Sequence, residues 1–85
     1  MYYQIYSYIY YEVLDNQTLV VYNDKYSETH VIDINFKWLF DLLSNQQVTK
    51  TQLMRTNQVD TSDQLDHILD EFVKNRLFSE DYDKK

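Results

Sequence analysis

The positions YYQIYSYIYYEV (residues 2 to 13) alternate along an extended chain. Tyr3, Ile5, Ile9, Tyr11 and Val13 fall on one side, and Tyr2, Tyr6, Tyr8 and Tyr10 on the other. Aromatic and β-branched residues at period 2 predict a strand. Both of its faces are apolar or amphipathic, so each should be at least partly covered. TLVVY (18 to 22) predicts a second strand and THVIDI (29 to 34) a third. The segments between them, LDNQ (14 to 17) and NDKYSE (23 to 28), read as turns. In a chain without Gly or Pro, turn chemistry falls to Asn, Asp and Ser, whose short side chains bond the local backbone. Connections this short make an antiparallel meander.

At Asn35 the apolar period changes from 2 to 3.6. Phe36, Leu39, Phe40 and Leu43 follow the spacing of a helix face, with Asn35 as the expected N-cap and Trp38 and Leu42 widening the stripe. VTKTQL then carries a capping box, Thr49 with Gln52, and a staple, Val48 with Leu53, predicting a short helix over 49–56. The third helix begins at a Thr61 or Ser62 cap with Asp63 in its first turn. It buries Leu65, Ile68, Leu69, Phe72 and Val73, and ends near Lys74 and Arg76, with Asn75 expected in the left-handed C-terminal position. The expected core adds Ile5, Ile9, Leu19, Val21 and Leu53 to the Phe36–Leu43 face and the third-helix stripe. SEDYDKK reads as a polar, frayed tail. The result is one α+β domain over 1–79, ordered β-β-β-α-α-α, with a tail over 80–85.

Composition narrows the possible functions. A chain of 85 residues supports a single modest core. With no cysteine there is neither a disulfide framework nor a thiolate metal site, and no run is long and apolar enough for a membrane span. The N-terminus lacks the basic-then-apolar layout of a signal peptide, and the absence of cysteine makes a cytoplasmic location the expected one. Fourteen acidic against eight basic residues leave a net charge of −6, which opposes the phosphate neutralisation that nucleic-acid binding needs. The lack of Gly also removes loops that cradle nucleotide phosphates.

Candidate chemistry is sparse. His67 lies one turn from Asp63 and Glu71, a column that would bind metal only with an open coordination position; a solvated helix face is the favoured reading. His30 alternates with Ile32 and Ile34, leaving buried and edge-exposed placements both open. Asp63, Asp66, Asp70 and Glu71 form an acidic face. No nucleophile has a base at diagnostic spacing, so no catalytic residue, metal or cofactor is expected and the chain does not read as an enzyme. Tyrosine combines large area with a polar tip. One tyrosine face of the first strand is therefore expected in the core, and the other is a candidate contact surface, including for a homodimer.

A three-stranded antiparallel sheet followed by three helices is winged-helix-like. Within it, VIDINFKWLFDLLSN and FVKNRLF (72 to 78) are the segments that resemble the PqqD-like family, the recognition elements for leader peptides of ribosomally made natural products. The resemblance covers about Asn16 to Ser79. Arg76 stands where that family usually has glycine, and the glycines usual in the turn before the third strand and after the first helix are also missing. The resemblance implies peptide binding by strand addition, with main-chain hydrogen bonds for affinity and side-chain pockets for specificity. A leader would pair with Thr29, His30, Val31, Ile32 and Asp33. Its apolar residues would lie against the third helix near Leu65, Leu69, Phe72, Val73 and Arg76, with Asp66 and Asp70 bordering the cleft and favouring a nearby Lys or Arg. The implied partners are the leader region of a precursor peptide and a maturation enzyme, such as a radical SAM enzyme, a cyclase or a leader peptidase. No nucleic acid and no membrane is expected as a partner. Two other classes compete: a winged-helix regulator, whose helices here lack a basic face, and an acidic inhibitor of the phage-encoded type. An acyl carrier fits poorly, because carriers are all-helical.

Overall fold

The computed structural model describes residues 2–56 and 58–81, with Asp81 in its backbone only. The strands are β1 (Tyr2–Ile5), β2 (Ile9–Val13), β3 (Thr18–Asn23), β4 (Glu28–Asp33), β5 (Val48–Thr49) and β6 (Phe78–Asp81). The helices are α1 (Lys37–Asn45), α2 (Lys50–Met54) and α3 (Ser62–Lys74), with a 3-10 turn over Ile34–Phe36 ahead of α1. The class is α+β, and the meander precedes the three helices as the periodicity predicts. The strands, however, form two separate three-stranded antiparallel sheets, ordered β2-β3-β4 and β5-β1-β6.

The second sheet arises because the tyrosine-rich segment is two strands and not one. The chain turns at Tyr6–Tyr8, where the Ile9 N–H donates to the Tyr6 carbonyl at 3.0 Å and the Tyr6 and Tyr8 rings stack at 4.9 Å. Period-2 alternation runs straight through this corner, and no Gly or Pro marks it. β2 joins the meander, pairing Tyr11 with Val21, while β1 becomes the centre of the other sheet, pairing Tyr3 with Val48 and Ile5 with Phe78.

That pairing overturns the expected tail. Ser79, Glu80 and Asp81 are strand residues opposite Gln4, Tyr3 and Tyr2, so the domain extends past residue 79. Residues 82–85 lie outside the described residues. The chain is held here by Leu77 and Phe78, which are 1% and 0% exposed. Phe78 completes an aromatic cluster in which its ring lies 5.1 Å from Phe40 and 5.0 Å from Phe72, with Phe36 5.4 Å from Phe72. Leu39, Phe40, Leu43, Leu53, Leu65 and Leu69 fill the rest of this core, as their spacing predicts, while Ile5, Phe36 and Ile68 are only half-buried.

Helix boundaries follow local hydrogen bonding. The capping box at α2 is present: Thr49 Oγ1 accepts from the Gln52 N–H at 3.2 Å and Gln52 Oε1 accepts from the Thr49 N–H at 2.8 Å. Thr61 caps α3, accepting from the Gln64 N–H at 3.1 Å. Asn35 does not cap α1. Asp33 instead accepts from the Asn35 N–H at 2.8 Å and starts the 3-10 turn, which delays α1 to Lys37. Asn75 is not left-handed either (φ −86°), because its backbone and side-chain N–H groups both bond the Glu71 carbonyl. Arg76 takes the left-handed conformation, with φ 63°, and Ser27 in the β3–β4 turn has φ 54°. Among the described residues no helix is long and apolar enough to cross a membrane.

Candidate functional site

β4 is an edge strand. Among the described residues its only ladder is with β3, in the register Val20–Val31 and Leu19–Ile32. The Ile34 N–H donates to the Gln17 carbonyl at 3.0 Å just past the last pair, which sets the phase of the ladder. Antiparallel pairs alternate between hydrogen-bonded and open. The even-numbered residues of β4 therefore bond β3, and Thr29 and Val31 direct their N–H and C=O groups away from it. Val31, 68% exposed, also has a free side chain. Neither Pro nor Lys interrupts Glu28–Asp33, so the usual guards of an exposed edge are missing.

Beside this edge runs a groove of about 320 Å³ between β4 and α3. Ile32 and Asp33 contribute from the strand, Phe36 from the 3-10 turn, and His67, Ile68, Glu71 and Phe72 from the helix. Alternation explains the place of Ile32: Glu28, His30 and Ile32 face inward and are half-buried, while Thr29, Val31 and Asp33 are exposed, Asp33 joining the lining from the strand's last position. On α3, spacing of three and four places His67, Ile68, Glu71 and Phe72 along one flank. The lining is almost wholly apolar, and Asp33, His67 and Glu71 are the titratable residues along it.

The expected site residues divide accordingly. Ile32, Asp33 and Phe72 line the groove, and Thr29 and Val31 form its open edge. Leu65 and Leu69 do not contribute, since both are 0% exposed and belong to the core. Asp66 does not border the cleft, because its carboxylate pairs with Lys50 at 2.6 Å and ties α3 to α2. Asp70 is exposed but does not line the groove, and Val73 is half-buried against the core. Arg76 reaches across to β4: its guanidinium meets Glu28 at 2.7 Å and covers the Tyr26 ring at 4.3 Å. His30 lies beside that clasp. Its Nε2 is 3.9 Å from Glu28 Oε1, and among the described residues neither atom, both buried, has a hydrogen-bond partner.

Phe36, His67, Ile68 and Glu71 were not expected at the site. Ile68 and Phe36 belong to apolar stripes legible in the sequence, but which flank of a stripe faces the groove depends on how α3 is rotated against the sheet. The acidic rim is therefore Asp33 and Glu71 rather than Asp66 and Asp70.

The tyrosines separate into two roles. Tyr3 is buried, and Tyr11 packs its ring 5.4 Å from Phe40 while its hydroxyl donates to Asp41 Oδ1 at 2.7 Å. Lys37 Nζ donates to the other oxygen of Asp41 at 2.7 Å. Tyr10, on the opposite face of β2, is 55% exposed. A second hollow of about 540 Å³ lies between the end of β1, the β2 edge and Ser44, with mixed polar and apolar walls. His67 has no metal-binding company: among the described residues no group of three His, Asp or Glu side chains is placed to hold an ion.

No protein-family model, curated protein or solved structure matches this chain.

Proposed function

We propose that this protein is a non-catalytic peptide-binding module. It takes up the leader region of a ribosomally made precursor as an additional strand on β4 and presents it to a maturation enzyme, in the cytoplasm. The observation that carries this reading is the free edge of β4 lying directly beside an apolar groove on α3. A backbone edge alone binds without selectivity, and a groove alone lacks main-chain partners. Together they supply the two components of recognition by strand addition.

Two backbone details support the PqqD-like resemblance. Arg76, at the position where that family usually has glycine, adopts the left-handed conformation that favours glycine, and so does Ser27 in a turn where glycine is also usual.

Val31→Pro tests the reading directly. The Val31 N–H points away from β3, so proline removes an edge donor without taking a bond from the sheet. Isothermal titration would use a synthetic leader segment of a short precursor peptide, against wild type and Val31→Pro, with circular dichroism as the folding control. Strand addition predicts clear weakening in a folded variant. Unchanged affinity would exclude binding at this edge.

A further inference from the structure

We propose that the β4–α3 groove selects an extended peptide with one large apolar residue and a Lys or Arg within two positions of it. This rests on the strand-addition reading above and adds the charge of the ligand to it.

The backbone phase defines where a guest side chain goes. A peptide residue opposite Ile32 would lie on the α3 side of the added strand, above Ile32, Phe36, Ile68 and Phe72. Its neighbour opposite Asp33 would sit across from that carboxylate. Glu71 stands on the helix wall of the same groove. Residues of the peptide that share the anchor's face, two positions away, pass along that wall.

Both rim carboxylates are available. Among the described residues the Asp33 carboxylate accepts one hydrogen bond, from the Asn35 N–H, and the Glu71 carboxylate accepts one, from the Asn75 side chain at 3.4 Å. Among the described residues neither is in an ion pair. Two nearby cations are engaged, Arg76 with Glu28 and Lys37 with Asp41, each at 2.7 Å, and Lys74, one turn from Glu71 at the end of α3, is exposed and in no ion pair among the described residues. His67 is the remaining titratable group in the lining. A guest cation would therefore meet two uncompensated carboxylates in a chain whose net charge is −6, and an acidic guest would be repelled.

The test starts from a random dodecapeptide display library selected on the wild-type protein at pH 7.5 and low salt. One enriched peptide is then synthesised, together with a version in which its Lys or Arg is replaced by norleucine. Selection is expected to enrich Lys or Arg within two places of an apolar residue. Asp33→Asn with Glu71→Gln should bind about three- to twentyfold more weakly, an effect that shrinks in high salt. Asparagine retains the capping oxygen at 33, and circular dichroism checks folding. The norleucine peptide should lose the same factor against wild type and nothing against the double variant. Peptides that bind through the edge, as judged by Val31→Pro, but carry no basic residue would overturn the charge selectivity alone. So would equal binding by the double variant. Failure to enrich any Val31→Pro-sensitive peptide would overturn the strand-addition reading itself.

Discussion

Phe78 decides whether the chain after α3 belongs to the domain. Its ring is 0% exposed, and it packs edge-on to Phe40 at 5.1 Å and against Phe72 at 5.0 Å. Its backbone pairs with Ile5 in the strand at the centre of the second sheet. Phe78→Ala removes a fully buried aromatic and opens a cavity between two elements held apart by rigid secondary structure. Such changes cost about 3–5 kcal/mol. A chain of 85 residues has about 4–13 kcal/mol of total stability. The loss is therefore a large share of the total stability. With a urea slope of about 1.5 kcal/mol per molar, the midpoint should fall by about 2–3 M. Trp38, the single tryptophan, is half-buried against the core and reports the transition by fluorescence, with far-UV circular dichroism as a second probe. Leu14→Ala is the control, because Leu14 is 64% exposed in a hairpin turn and should change stability by less than about 0.5 kcal/mol. A midpoint shift below about 0.5 M for Phe78→Ala would mean that β6 is not docked as described and that the domain ends with α3.

Two further predictions use opposed effects. Arg76→Gly should leave stability within about 1 kcal/mol of wild type, since relief of the positive φ opposes both the loss of the Glu28 and Tyr26 contacts and glycine's greater freedom when unfolded. Arg76→Val loses the same contacts and keeps the strain, so urea denaturation should show it clearly less stable than the glycine variant. At Asp41, partial burial opposes ionisation, but hydrogen bonds from Lys37 and Tyr11 and the Lys37 charge outweigh it and hold the carboxyl below its usual range. A depressed carboxylate contributes stability above its unfolded pKa and loses it as pH falls through the folded value. The advantage of wild type over Asp41→Asn should thus be present near neutral pH and shrink toward about pH 3, read from urea midpoints across that range. A constant difference would remove the ionised network as its cause. Burial, aided by the Asp41 carboxylate, raises the Tyr11 hydroxyl, so its contribution should persist through neutral pH and fail only as pH rises past the ordinary tyrosine range.

Much of this architecture is local physics and was legible in the residues. The change of apolar period at Asn35 separated meander from helices, Thr49 with Gln52 marked α2, and Thr61 marked α3, because periodicity and caps depend on neighbours within one or two turns. The same locality explains the errors. A corner at Tyr6–Tyr8 leaves alternation unbroken, so nothing in residues 2–13 distinguishes one long strand from two short ones in different sheets. Ser79–Asp81 looks polar and frayed because its stabilising partner is β1, more than seventy residues earlier in the chain. The candidate edge at Thr29–Asp33 was legible for the same local reason: an unguarded alternating run. The other wall of the groove was not. Leu65, Ile68, Leu69 and Phe72 form one stripe in the sequence, and only the packing of α3 against Phe40, Phe78 and the sheet sends Leu65 and Leu69 inward and leaves Ile68 and Phe72 along the cleft. Charge followed the same rule, since helix rotation turned Asp66 to Lys50 and Glu71 to the groove. The sequence by itself determined the three helices, the meander strands of Thr18–Asn23 and Glu28–Asp33, and which residues are apolar enough to be buried. Which strands share a sheet, and which flank of α3 is core and which is cleft, was decided by tertiary packing, because those choices depend on contacts between residues far apart in the chain.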